Sequence, residues 1–172
     1  MSPSPDHDDA TSHDRAAQLI AAFGLKPHPE GGHYREVFRS SASVHPGDGR
    51  GERCGLTTIY FLLNAGEQSR LHRVTSDEAW HFYEGDPLEL LWTGADPTVL
   101  HQARLGPVAD GMAPVAVVPA GGWQAARSSG AYTLVGCSVG PGFDFADFQM
   151  LGDHPELAAE LCARHPGLRP YV

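Results

Sequence analysis

Lysine is almost missing from this 172-residue sequence: Lys26 stands alone, and with 12 basic against 21 acidic residues the formal charge is -9. A chain of that sign has no basic face with which to grip nucleic-acid phosphates or an anionic lipid surface, so neither partner is expected. Cysteine is scarce as well. Cys54, Cys137 and Cys162 are odd in number, widely spaced and form no C-x-x-C pair, which argues against a disulfide framework and for reduced thiols in a cytoplasmic protein. Long apolar runs are also lacking. The longest, Ile59 to Leu63, is far too short to span a bilayer, and no apolar stretch follows a basic start at the N-terminus, so neither membrane insertion nor secretion is expected. The chain further lacks a G-x-S-x-G nucleophile elbow, a Cys-His context for a thiol nucleophile and a G-x-x-x-x-G-K-[ST] phosphate loop, which excludes the common nucleophilic and nucleotide-hydrolysing chemistries.

What is present is enough for one domain with a core, since 41% of residues are hydrophobic and a chain of this length buries roughly 70% of its unfolded surface. Residues 1–14 carry four Asp and no base, interleaved with Pro and Ser, and read as a disordered, solvated tail. Residues 15–172 read as a single domain. Leu19, Ile20 and Phe23 fall at helical spacing ahead of Gly24, which predicts a short helix over 15–23. From residue 33 onward short runs rich in Val, Ile, Thr, Tyr and Phe alternate with turn clusters every eight to twelve residues. The runs span 33–40, 56–63, 68–74, 79–84, 88–93, 99–104, 115–118, 123–127, 131–139 and 143–150. That texture predicts an all-β barrel or antiparallel sandwich, with a core over about residues 25–150. A second helix is expected over 153–165, ahead of Pro166 and Gly167.

One hairpin concentrates the chemistry. Residues 66–85 read GEQSRLHRVTSDEAWHFYEG. Strict alternation puts Gln68, Arg70, His72 and Val74 on one face of the first strand and Glu78, Trp80 and Phe82 on one face of the second. An imidazole and a carboxylate then meet beside an indole and a phenyl ring, where desolvation raises the carboxyl pKa and the imidazole starts near neutrality. Such a pair can serve as metal ligands, as a proton-transfer dyad or as a buried structural pair. By the same alternation His81 points away from the interior. The segment HPEGGHY, residues 28–34, reads most simply as a turn opening the first long strand, with Glu30, His33 and Tyr34 within reach of a pocket mouth. GFDFADF, residues 143–149, reads as a last strand closing the barrel.

The spacing Gly66, His72, Glu78, Gly85 resembles the first motif of the cupin superfamily, with Val74 where that motif has its second His. Pro119 and Gly121 match its second motif, in which Ala113, Gln124 and Ser128 replace Gly, His and Asn. The phrases LKPHPEGGHYREVFRS, LTTIYFLL, SRLHRVTSDEAWHFYEGDPLELL, VPAGGWQAA and YTLVGCSVGPGFDFADFQML resemble, more narrowly, a cupin subgroup catalogued as a domain of unknown function. Its fold is similar to that of RmlC-type epimerases. The resemblance implies a cupin jelly roll, a double-stranded β-helix barrel with short N- and C-terminal helices, assembled as a homodimer. The usual cupin ligand set carries over as His72 and Glu78, with Gln124 as a weaker third ligand, so one divalent metal ion is expected only if Gln124 completes its shell.

These readings converge on a small-molecule pocket inside the barrel. His72 and Glu78 are its expected catalytic pair, and Arg70, Gln68, Trp80, Gln124 and Tyr60 its expected substrate-binding groups. Two functions fit: an enzyme of isomerase, epimerase or lyase type acting on a small polar or sugar-like substrate, or a non-catalytic cupin that binds a nucleotide, sugar or other metabolite.

Overall fold

The computed structural model describes residues 5–172 apart from Ala95 and Asp110, with side chains from Asp14 onward. Helix α1 (Pro5–Phe23) leads into β1 (Lys26–Pro27), β2 (His33–Arg39), β3 (Ser43–Val44), β4 (Arg53–Cys54), β5 (Thr57–Asn64), β6 (Gln68–Val74) and β7 (Asp77–Gly85). There follow β8 (Leu88–Thr93), β9 (Leu100–Leu105), β10 (Val115–Val118), β11 (Gln124–Ser128), β12 (Tyr132–Gly140), β13 (Phe148–Met150) and helix α2 (Pro155–Arg164). α1 begins at Pro5 rather than at Arg15, so residues 5–14 continue the helix, while residues 1–4 lie outside those described.

The strands form two antiparallel sheets, one in the order β1-β2-β5-β12-β7-β10 and the other β13-β6-β11-β8-β9, with β3 and β4 as a separate ribbon. Between them lies a core of Phe61, Leu63, Trp80, Leu88, Leu90, Leu105, Val118, Ala126, Val135 and Cys137. Each sheet is also covered outside. α1 seals the six-stranded sheet through Ala16, Leu19, Leu62, Tyr132 and Leu134, and α2 seals the five-stranded sheet through Leu71, Trp123, Ala125, Ala158 and Leu161. Burial on both faces explains why β5 reads as an almost continuous apolar run: Phe61 and Leu63 point to the core, and Leu62 points to α1.

Three strand pairs depart from regular pairing, β12 with β7 among them, where Leu134 opposes Glu84 but Val135 opposes Phe82. Against β11, β6 pairs His72 with Gln124 but Ser69 with Ala126, so three steps on β6 oppose two on β11. Against β5, β2 pairs Glu36 with Ile59 but Phe38 with Thr58. Each is a bulge that switches which residues face inward. The expected last strand over 143–150 is shorter than its alternation suggested. Only Phe148–Met150 is strand, and Phe145–Asp147 forms a 3-10 turn capped by the Asp144 carboxylate, which accepts from the Ala146 N–H at 2.8 Å. No helix among the described residues is long and apolar enough to cross a membrane, and all three thiols are free.

Candidate functional site

A cavity of about 520 Å³ opens at one end of the two sheets. Its floor carries His28, Glu30, His72 and Glu78, its walls Ile59, Val74, Cys137 and Val139, and its mouth Phe143, Phe145 and Phe148 together with Glu36 and Arg39. Three regions of the chain supply the floor. β6 gives His72, β7 gives Glu78, and the loop before β2 gives His28 and Glu30.

That loop reaches the floor because Gly31 and Gly32 let it. Both have positive φ, +111° and +65°, and a Cβ at Gly31 would lie 2.1 Å from the Gln68 carbonyl oxygen, with one at Gly32 2.8 Å from that of Leu62. Only glycine permits such an approach. The β6 bulge completes the fit. It frees the Arg70 N–H to donate to the Glu30 carbonyl at 2.8 Å, and the Arg70 guanidinium donates to the Pro29 carbonyl at 2.6 Å.

Glu30 is the hub. Its Oε1 accepts from the Ser69 hydroxyl at 2.9 Å. Its Oε2 lies 3.3 Å from His72 Nε2 and 3.3 Å from His28 Nδ1. The fixed partners settle the tautomers. His72 Nδ1 lies 2.8 Å from the Arg70 carbonyl, an acceptor only, so Nδ1 carries a proton, and in the neutral ring that burial favours Nε2 is a bare acceptor. His28 Nδ1 accepts from the Glu30 backbone N–H at 3.3 Å, so it too presents a lone pair. Two imidazole lone pairs facing one carboxyl oxygen require a proton on that oxygen. The electrostatics agree, since burial pushes the Glu30 carboxyl up to about 7. Burial likewise holds His28 and His72 below the ordinary imidazole value. Below about pH 7 the cluster therefore holds mainly a carboxylic acid beside a neutral base.

Glu78 is buried in the same floor, and desolvation raises its pKa as well. It accepts from the Gln124 side-chain amide at 2.6 Å, and the Trp80 indole N–H donates to the Gln124 amide oxygen at 3.0 Å. An indole is a donor only, so Trp80 fixes the amide with its NH2 toward Glu78.

The sequence-derived residues separate accordingly. His72 and Glu78 both line the cavity, but the carboxyl in direct contact with His72 is that of Glu30, 3.3 Å away, and Glu78 acts on His72 only through its field. Gln124 is fully buried behind Glu78, with both amide atoms engaged. Trp80 sits in the core and orients Gln124. Arg70 is exposed and turned out by the bulge, so it positions Glu30 from behind rather than facing the cavity. Gln68 lies beyond the same bulge, against a separate shallow depression with Glu67, Arg127 and Ser128. Tyr60 is on the outer face of β5, 4.8 Å from the Phe23 ring and 6.1 Å from that of Tyr83. His81 is half-buried and takes no part in the cavity. Sequence reasoning underrated His28 and Glu30, whose signal was the paired glycine after a His-Pro-Glu turn. It also missed the aromatic mouth, hidden in the apparent strand 143–149.

The usual cupin metal set does not fit this floor. Val74 has no donor, the Gln124 oxygen is held by Trp80, and among the described residues no group of three or more His, Cys, Asp or Glu side chains is arranged to hold a metal ion.

A family profile described as cupin superfamily (DUF985) matches residues 17–151. Among solved structures the chain is similar to a hypothetical protein from Leishmania major, at 35% identity over 82% of this chain and 93% of that one, with a TM-score of 0.73. It is also similar to a protein from Shewanella oneidensis, at 35% identity over 85% and 94% of the two chains, with a TM-score of 0.71. Oxalate decarboxylase from Bacillus subtilis shares the fold alone, at 13% identity over 73% of this chain and 29% of that one, with a TM-score of 0.54. No curated protein sequence matches the chain.

Proposed function

The chain belongs to the cupin superfamily, in its DUF985 family, and from that premise we propose that its barrel cavity binds a small ring-shaped molecule and moves a proton on it, as an isomerase or epimerase does. The observation that carries this reading is Glu30. It is a buried carboxyl with a pKa of about 7, 3.3 Å from an imidazole nitrogen whose tautomer leaves it a free base. An acid and a neutral base, side by side and away from water, suit proton transfer near neutral pH.

The step balances within the pair. His72 Nε2 takes a proton from a carbon next to a substrate carbonyl while Glu30 Oε2 gives its proton to the carbonyl oxygen, which yields an enol and leaves an imidazolium beside a carboxylate. Where the first carbon bears a hydroxyl the enol is an enediol: His72 then gives its proton to the former carbonyl carbon while the Glu30 carboxylate takes the proton of the neighbouring hydroxyl, which becomes the new carbonyl, so the neutral pair is regenerated and an isomer is released. Ser69 holds Oε1 and so fixes the plane of the carboxyl. Glu78 raises the basicity of His72 through its charge. The aromatic mouth offers flat faces to the C–H side of a ring. Homodimerisation and a cytoplasmic setting, both expected from the sequence, accompany this proposal.

The test is exchange of substrate C–H for deuterium in D2O, followed by NMR across a panel of ketoses, aldoses and cyclic ketones. Protein-dependent exchange that disappears in both Glu30→Gln and His72→Gln supports the reading. Exchange that survives in both variants overturns it, and ligands that bind without exchange assign the cavity to binding alone.

A further inference from the structure

The cavity contains no free positive charge. Arg39 is the one Arg or Lys among its lining residues, and it is engaged: Nε and Nη2 donate to the two Glu36 carboxylate oxygens at 2.9 and 2.7 Å, and the guanidinium also donates to the Phe143 carbonyl at 3.3 Å. Glu30 and Glu78 are both buried on the floor, and among the described residues neither has an Arg or Lys in ion-pair contact. Beyond Gln124, Glu78 has only the Cys137 thiol as a partner, a weak donor. Above these acids stand three phenyl rings in mutual edge contact, with centroids 5.0 to 6.1 Å apart. The rings of His28 and His72 stack on Phe145 and Phe148 at 6.3 and 5.6 Å.

Glu78, a buried carboxyl whose neighbours include no Arg or Lys, under the negative faces of aromatic rings, is complementary to an organic cation and hostile to an anion. We propose that the ligand of this cavity is a ring compound bearing a protonated amine, as in an amino sugar or a cyclic amine, and that phosphorylated or carboxylated compounds, nucleotide sugars included, are excluded. The ammonium group pairs with Glu78, with the Glu30 carboxyl oxygen as a neutral acceptor beside it, and the ring lies against the phenyl cluster. Arg70, the one cation among the substrate-binding groups expected from the sequence, is exposed and does not line the cavity. The inference rests on the reading that the cavity is the binding site and adds the charge class of what enters it.

Benzylamine, benzyl alcohol and benzoate offer one ring with a positive, a neutral and a negative head, and calorimetric titration of the full chain at neutral pH reads their affinities. Benzylamine is expected to bind at least tenfold more tightly than benzyl alcohol, with benzoate the weakest. Glu78→Gln removes the preference for the amine. Phe145→Ala, at an exposed ring whose loss leaves the core intact, weakens all the binding probes by a similar factor. Equal affinities for the three probes, or a preference for benzoate, overturn the charge assignment and leave the cavity as a binding site. Failure of all three to bind overturns the cavity reading and this inference together.

Discussion

Replacing Glu30 by Gln should make the protein more stable above neutral pH, although it alters a buried polar group of the site. The Glu30 carboxyl keeps its proton in the fold up to about pH 7, whereas an unfolded glutamate loses it near 4.5. The native state therefore holds the proton more tightly than the unfolded state. The stability this provides is complete below 4.5 and is lost as pH rises through about 7. A displacement of that size amounts to about 3 kcal/mol of stability, of which about 2.5 kcal/mol disappears between pH 5 and pH 8. The amide introduced by Glu30→Gln carries no proton to lose. Its oxygen accepts from Ser69 and its NH2 donates to the bare His72 Nε2, which preserves both hydrogen bonds of the protonated acid. Urea unfolding at pH 5 and pH 8 reads the effect. The wild type should lose stability toward pH 8 by roughly the amount above, and the variant should lose much less and be the more stable of the two at pH 8. Parallel pH profiles, or a variant less stable than wild type at pH 8, would refute the assignment of a protonated carboxyl.

Other perturbations have distinct signatures. In the Glu30→Gln background, stability should fall as pH drops below 6.5, because the unfolded chain protonates His28 and His72 while burial keeps both neutral in the fold. Adding His72→Gln should flatten that acid limb. Trp80→Phe removes the donor that fixes Gln124 and leaves a buried amide oxygen without its partner, and should cost about 1–3 kcal/mol in urea unfolding. Asp147 binds Arg50 at 3.0 Å and Arg53 at 2.8 Å, and so ties the aromatic mouth to the segment around β4. Asp147→Asn should therefore speed chymotrypsin cleavage after Phe143 and Phe145 while leaving the global melt almost unchanged.

The fold was largely legible because strand periodicity and turn chemistry are local signals. Runs such as 88–93 and 115–118 coincide with β8 and β10, and the family phrases fixed their arrangement. The inward placement of His72 and Glu78 was legible from alternation for the same reason. Alternation failed where the backbone adds a residue. The bulge between Ser69 and His72 sends Arg70 outward, and a bulge is set by the neighbouring strand rather than by the sequence of the bulged one. Glu30 was hidden for a related reason. A loop residue becomes a site residue through long-range packing, and its only local trace was the glycine pair that lets 28–30 approach Gln68 and Leu62. The mouth was misread because GFDFADF alternates on paper, whereas the Asp144 cap and the Arg50 and Arg53 pairs to Asp147 turn it into a short 3-10 segment.

The central claim is that Glu30 is a carboxylic acid near neutral pH, and its ionisation can be observed directly. Carbon-13 NMR of the glutamate side-chain carboxyls, with the Glu30 resonance assigned by its loss in Glu30→Gln, gives the titration of this one group. The account predicts a midpoint near 7, with the resonance in its protonated position at pH 6. A midpoint near 4.5, the ordinary glutamate value, would contradict it and remove the acid from the proposed proton-transfer pair.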